Sequence, residues 1–405
     1  MGRGSRSFDV ALTLPLAARA PARLSIDRLA LTGFRGYARL RLNLGPEPVV
    51  LTGPNGAGKT NLLEAVSFLS PGRGLRGTHL SDALCDRADI EPAPTAWSIG
   101  ASVSTQHGSV ELATGWPLPG GAKPGSERRM VRIDGRLAGG QAALAEHVSL
   151  VWLTPAMDRL FVEGAAGRRR FLDRLVFALD PAHAGRTLAF ERSRRARAKL
   201  LAEGRFDEAW LGAIEHDMAE RAVAIAAARL DLIGRLEGAI IEAETPFPKP
   251  ALALDGLIEG WLSDAPALEA EERYRCHLAA MRRRDAEVET CDGPQRSDLV
   301  VSFEAGGRAA EHCSTGEQKA LLIALVLAHA RLITRLKGAA PILLLDEVAA
   351  HLDEGRRATL FDEILALGCQ AWMTGTETQP FALLKSAARF LAVRQADVTE
   401  ESVHG

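Results

Sequence analysis

The sequence predicts an α/β fold, a largely parallel sheet into which a helical segment is inserted. Three observations carry that reading. A glycine-rich turn, Gly53-Pro54-Asn55-Gly56-Ala57-Gly58-Lys59-Thr60, follows the apolar run Val49-Val50-Leu51-Thr52 and precedes a helical pattern, the strand, loop and helix order of a phosphate-binding loop. A second apolar run, Ile342-Leu343-Leu344-Leu345, ends in Asp346-Glu347, as expected of a strand buried on both faces of a parallel sheet. Between them, residues 167–243 are rich in Ala, Leu, Arg and Glu, with Trp210, Leu211, Ile214, Met218, Val223, Leu230, Ile233, Leu236 and Ile240 at helical spacing.

Composition bounds the function. The 405 residues are 47% hydrophobic and 25% charged, ample for a core and for more than one structural unit. The formal net charge of −2 gives no global field toward nucleic acid or an anionic membrane, so any nucleic-acid contact must come from local patches. The five cysteines, Cys85, Cys276, Cys291, Cys313 and Cys369, are odd in number and contain no Cys-x-x-Cys pair; a reducing, cytoplasmic location is the simple reading. No apolar run approaches the ~20 residues of a membrane span. In residues 1–22, Arg3, Arg6 and the apolar stretch that follows loosely imitate a secretory signal, but Asp9 and Pro15 interrupt it, and the segment reads as a flexible N-terminal extension.

Taken in order, residues 24–31 and 40–44 read as strands, and residues 61–69 as the helix after the glycine-rich turn. Residues 97–103 and 110–113 read as further strands, residues 117–126 as a Pro/Gly-rich loop, and Asp134-Gly135 as a hairpin turn. After the helical middle, the run Pro246-Phe247-Pro248-Lys249-Pro250 reads as a break, residues 266–285 as helical again, and residues 299–303 as a strand. The resulting division is 1–22 extension, 23–166 first part of the α/β unit, 167–290 helical arm, and 291–405 second part of the α/β unit.

Each motif has a chemical rationale. Glycines let successive N–H groups of the loop turn toward a polyphosphate, and the helix N-terminus adds positive potential. Lys59 can reach the β and γ phosphates of ATP, the Thr60 hydroxyl can ligate Mg²⁺, and Asn61 begins the helix beside them. Asp346 at a strand end can hold Mg²⁺, and Glu347 can polarise an attacking water. The segment Ser314-Thr315-Gly316-Glu317-Gln318-Lys319 is, on its own, a helix start with Ser or Thr as cap.

Placed before an apolar helix that leads to the 342–345 strand, that segment also resembles the signature motif of ABC-type ATPases. The resemblance implies that Ser314 and Gly316 contact the γ-phosphate held by a second chain, so that ATP drives a homodimer. Ala350-His351-Leu352-Asp353 is similar to the D-loop, which would put Asp353 at the dimer seam. Where many such ATPases carry a switch histidine, this chain has Met373-Thr374-Gly375-Thr376, so a γ-phosphate sensor is either absent or supplied by a hydroxyl, and no glutamine stands near residues 152–155. Slow hydrolysis is the expectation.

Phe34-Arg35-Gly36-Tyr37, Arg168-Arg169-Arg170-Phe171-Leu172-Asp173, Gly293-Pro294-Gln295-Arg296-Ser297-Asp298, and the set Asp346, His351-Leu352-Asp353 and Arg356 together resemble the RecF family. The fold so implied is an ABC-type P-loop ATPase head with a β-rich N-terminal lobe and a short inserted helical arm. The implied function is a weak, DNA-stimulated ATPase of replication and recombinational repair. Its ATP-bound dimer would clamp DNA, double-stranded and at single-strand/double-strand junctions. With RecO and RecR it would promote RecA loading and SOS induction. Candidate DNA contacts are Arg73 and Arg76 after the first helix, Arg192, Arg194, Arg195, Arg197 and Lys199 on one arm helix, and Arg282, Arg283 and Arg284 on another. An ATP-gated DNA-binding scaffold with negligible hydrolysis, and a transport ATPase subunit, stand as the alternatives.

Overall fold

The computed structural model describes residues 23–87, 91–117, 128–304, 307–350 and 352–401. The extension 1–22, nearly all of the loop 117–126 and His351 lie outside the described residues. The chain opens with the hairpin β1 (Ser25–Phe34) and β2 (Tyr37–Asn43), then enters a second sheet as β3 (Val49–Thr52) and runs through α1 (Lys59–Ser67). It returns as β4 (Trp97–Thr105), β5 (Gly108–Trp116), β6 (Met130–Ile133) and β7 (Arg136–Leu137), completing an antiparallel six-stranded sheet of order β2-β1-β4-β5-β6-β7. Strand β8 (Leu150–Leu153) rejoins the second sheet and leads into the arm, α2 (Ala165–Leu179), α3 (Ala182–Ala202) and α4 (Glu208–Ile241).

Then follow β9 (Pro250–Asp255), α5 (Leu257–Asp264), α6 (Ala267–Ala280), α7 (Arg282–Val288) and β10 (Asp298–Phe303). The chain finishes with α8 (Thr315–Lys337), β11 (Ile342–Leu345), α9 (Glu354–Leu367), β12 (Ala371–Thr374), β13 (Arg389–Arg394) and β14 (Asp397–Glu400). The second sheet has the order β14-β13-β3-β12-β11-β8, parallel throughout except for the β13–β14 hairpin.

The unbroken apolar run of β11 is explained by burial on both faces. Leu343 and Leu345 pack with α8 and the arm helices, while Ile342 and Leu344 pack with α1 and the first sheet. Helix α8 is itself buried along nearly its whole length, on every side, which is why its pattern is apolar all round. Gln370 joins the sheets: its Oε1 accepts from Ile26 N–H (2.9 Å) and Trp372 Nε1–H (3.2 Å), and its Nε2 donates to Ile26 C=O (3.0 Å) and Gly45 C=O (2.6 Å). Buried Arg129 closes the far end of α1 by donating to the carbonyls of Phe68 and Ser70, as cations do at helix C-termini. Burial pushes its guanidinium down to about 9.

The structure departs from expectation in two elements. Pro250 is not part of a break but the first residue of β9, which pairs antiparallel with β10; proline is tolerated at a strand's first residue. Helix α5 is too short to register as a period in the sequence. The β9–β10 pair also binds the chain before residue 290 to the chain after it.

Arginine α2 contacts attach the arm. Arg168 pairs with Asp298 at 2.7 Å, Arg169 donates to Ser297 C=O at 2.9 Å, and the Arg174 guanidinium lies 4.5 Å from the Trp152 ring centre. Asp173 accepts from Arg229 at 2.8 Å, and His183 Nε2 lies 2.8 Å from it. Burial raises the Asp173 carboxyl, but the hydrogen bonds with His183 and Arg229 outweigh it and hold the group below its ordinary value.

Arg197 overturns one expectation outright. Its side chain is 2% exposed, with Nε on Glu215 (2.9 Å), one Nη on Asp285 (2.8 Å) and the other on Leu278 C=O (2.6 Å). It ties α3 to α4, α6 and α7 and has no donor to offer DNA. Arg282, 11% exposed, is committed to Glu215 and Glu208. Arg197→Met leaves Asp285 with only the half-exposed Arg284 (3.1 Å) and strips Glu215 of one donor, and should cost about 3 kcal/mol of stability in urea unfolding, whereas Arg195→Glu on the exposed face of α3 should stay within about 0.5 kcal/mol.

Candidate functional site

The glycine-rich loop is a turn from β3 into α1, and its geometry is set by contacts on its outer side. Gly53 (φ 139°) lies so close to β13 that a Cβ would stand 2.1 Å from Val393 C=O, and at Gly58 (φ 111°) a Cβ would stand 2.8 Å from the Tyr37 hydroxyl. Tyr37, fully buried, donates that hydroxyl to Gly58 C=O at 3.1 Å, and Ala396 N–H donates to Ala57 C=O at 3.0 Å. At Gly56 (φ 77°), by contrast, a Cβ meets nothing within 4 Å. The loop is open there, and backbone N–H groups at a helix N-terminus are suited to a polyphosphate. Pro54 and Asn55 are exposed at its rim.

Lys59 begins α1, 5% exposed, and its ammonium donates to the carbonyls of Gly53 (2.6 Å) and Pro54 (2.8 Å). Burial pushes it below its ordinary value, and the charges of Glu347 and Asp346 act against that shift. The Thr60 hydroxyl donates to Asp346, 3.0 Å from Oδ1 and 3.1 Å from Oδ2. This hydroxyl and carboxylate are hard oxygen donors suited to Mg²⁺, which takes few protein ligands and fills its shell with water and phosphate oxygens. Lys59, Thr60, Asp346 and Glu347 are thus gathered at the C-terminal edge of the sheet, where β3 and β11 flank β12.

Sequence reasoning marked the segment 373–376 only for a hydroxyl that could sense the γ-phosphate, and missed the contacts one of its residues makes with Asp346 and Glu347. Thr374, at the end of β12, bonds Asp346 Oδ1 (2.7 Å) and the backbone N–H of Glu347 (2.8 Å). The signal available was its place in Met373-Thr374-Gly375-Thr376 after a short apolar run. Also missed was Glu64, fully buried on α1, which pairs with Arg35 (2.7 Å) and Arg76 (2.7 Å). Arg76 also donates to Asn61 Oδ1 at 3.0 Å, so this candidate DNA contact is partly committed behind the loop.

Ser314 and Gly316 belong to a second hydrogen-bonded cluster, at the start of α8. Ser314 caps α8 in a reciprocal box with Glu317. Hydrogen bonds from the Ser314 N–H (2.7 Å) and hydroxyl (2.9 Å), with Arg308 beside them, hold the Glu317 carboxyl below its ordinary value. Arg356 donates to Gly316 C=O at 3.3 Å and pairs with Asp353, whose side chain caps α9. Lys319, on the same helix start, donates to Ala350 C=O at 2.8 Å. Ser314 and Asp353 are exposed.

Residues 25–399 match the model of the RecF/RecN/SMC N terminal domain. The chain is 49% identical over 383 residues to the DNA replication and repair protein RecF of Rhizobium rhizogenes, covering 94% of this chain and 100% of that protein. It is 48% identical over 382 residues to the protein of that name from Mesorhizobium japonicum, covering 93% and 98%. The chain belongs to the RecF family. A solved structure described as the recombination mediator protein RecF-ATPrS in the RecFOR pathway shares the fold, with a TM-score of 0.81 at 20% identity over 95% of this chain and 100% of that one. An SMC head bound to the C-winged helix domain of ScpA shares it more loosely, with a TM-score of 0.54 at 15% identity over 94% of this chain and 98% of that one. The expected ATPase-head fold with its β-rich lobe and helical arm is thus the RecF-family fold.

Among the other basic candidates on this RecF-family chain, Arg73 is exposed, and Arg192, Arg195 and Lys199 are exposed together on α3. Their spacing puts the α3 residues on one helix face. Arg194 is half-buried against Glu191 at 2.8 Å, and Arg284 pairs with Asp292 at 2.8 Å. No helix among the described residues is long and apolar enough to cross a membrane. Gly58→Ala, which adds a Cβ both at positive φ and against Tyr37, should weaken ATP binding about 10-fold in a fluorescent-nucleotide titration, and Lys59→Ala should weaken it further.

Proposed function

We propose that this chain is an ATP-dependent DNA-binding protein of replication and recombinational repair whose ATP-bound homodimer closes on DNA. One observation carries the reading: Ser314 is exposed at the start of α8, and among the described residues its hydrogen bonds go to Glu317 and none to the phosphate loop. A second copy supplies the missing half. Its Ser314 hydroxyl and Gly316 N–H reach the γ-phosphate held by the first chain's loop, with Asp353 at the seam, and the exchange is reciprocal.

Within one site, Lys59 turns from its own loop carbonyls to the β and γ phosphate oxygens. Thr60 and Asp346 would hold a Mg²⁺ ion, which would supply charge neutralisation to the phosphate oxygens. Glu347 accepts the proton of the attacking water. The exposed α3 face of Arg192, Arg195 and Lys199, with Arg73, supplies the phosphate contacts to duplex or junction DNA. The curated relatives are called DNA replication and repair proteins. On that family ground, RecO and RecR are the partners with which this chain would promote RecA loading and SOS induction in the cytoplasm.

Gel filtration with ATP, ADP and gapped DNA tests the dimer: ATP alone should shift the chain to twice its mass and retain DNA, and a monomer under ATP overturns the reading. Glu347→Gln should lower turnover at least about 100-fold while prolonging the ATP-bound dimer; unchanged turnover would leave an ATP-gated scaffold and not an ATPase. Charge reversal at Arg192, Arg195 and Lys199 together should weaken DNA binding and flatten its salt dependence by about 2–3 in log–log slope.

A further inference from the structure

Thr374 ends β12, the strand lying between β3, which feeds the phosphate loop, and β11, which carries Asp346-Glu347. The side chain is fully buried. Its hydroxyl donates to Asp346 Oδ1 at 2.7 Å and accepts the Glu347 N–H at 2.8 Å. Its proton and a lone pair are thereby committed to successive residues of the β11 end. Asp346 Oδ1 also accepts from Thr60, so one carboxylate oxygen is held from two sides, by the start of α1 and the end of β12.

Glu347 has φ 50°, the left-handed region, which is costly for a residue with a Cβ and persists only where neighbours impose it. The bond from its N–H to Thr374 is one such constraint. The next residue is anchored in turn, since Gly375 N–H donates to Leu51 C=O at 3.0 Å.

We propose that Thr374 is a positioning residue that sets the Asp346 carboxylate for the metal and the Glu347 backbone for the attacking water, rather than a sensor of the γ-phosphate. To touch a phosphate, the hydroxyl would have to give up its bond to Asp346 or turn away from the Glu347 N–H, leaving a buried group without its partner. The inference rests on the reading of Asp346 and Glu347 given above. The hydroxyl acts before any nucleotide chemistry, so its effect falls on metal-dependent binding as well as on turnover.

The test compares two pairs that differ by the hydroxyl alone, wild type with Thr374→Val and Thr374→Ser with Thr374→Ala. Affinity for a fluorescent ATP analogue is measured with Mg²⁺ and with EDTA, and turnover at saturating Mg²⁺-ATP. Removing the hydroxyl should cut both the Mg²⁺ enhancement of affinity and kcat by about 10-fold, while the EDTA affinity, set by the loop and Lys59, stays within about 3-fold. Thr374→Ser should keep most of both. Unchanged Mg²⁺ enhancement and kcat in the hydroxyl-free variants overturn the proposal, and so does an equal loss of affinity in EDTA, which would mark a phosphate contact or a fold defect. If Thr374→Val does not fold, the Ser and Ala pair decides. A wild-type protein that binds Mg²⁺-ATP but turns nothing over would sink the hydrolytic role of Glu347, and the Mg²⁺ enhancement would still judge Thr374.

Discussion

The burial of β11 on both faces is the constraint from which the rest of the molecule follows. Its alternate side chains pack on α8 from one side and on α1 and the first sheet from the other, so the strand cannot slide or tilt without opening a core. The peptide that leaves its C-terminal end must therefore present Asp346 and Glu347 at one fixed height. Neighbouring β12 and β3 are held in parallel register with it, and their ends deliver Thr374 and the phosphate loop to the same edge. A carboxylate there can be met by hydroxyls from both sides because the strand ends cannot drift apart.

The same packing links remote parts of the chain. Helix α8 is buried between the parallel sheet and the arm helices α2 and α4, and its N-terminus is the Ser314 cap. Lys319, one turn into the helix, donates to the Ala350 carbonyl. The arginines of α2 fasten the arm at several points to Asp298, Ser297 and Trp152. The motifs 168–173 and 293–298 thus meet where the arm joins the head, and their hydrogen bonds among the described residues run to each other and to neighbouring residues.

Charge on the arm is sorted by depth. Arg197 and Arg282 are spent on Glu215, Asp285 and Glu208 inside the arm, and only side chains such as Arg192, Arg195 and Lys199 face outward. A linear run of basic residues on a helix presents every face in turn, so its sequence alone does not separate a core ion pair from a solvent contact. Depth was legible only from the partners, which come from α4, α6 and α7.

Much of the site was readable because its chemistry is local. Gly53 to Thr60 must be glycine-rich to turn at positive φ against Val393 and Tyr37, and Lys59 and Thr60 follow at the spacing that one helical start imposes. The apolar run before Asp346-Glu347 declared a two-sided strand, and Ser314 with Glu317 declared a helix cap. What only the tertiary structure decided is long-range: that Thr374, distant in sequence from Thr60, shares Asp346 with it, that Glu64 holds Arg76, that Pro250 opens a strand, and that Arg197 is core. Local pattern records how a segment turns and which side is apolar; the partner of a buried polar group is chosen by the packing of strands and helices far apart along the chain.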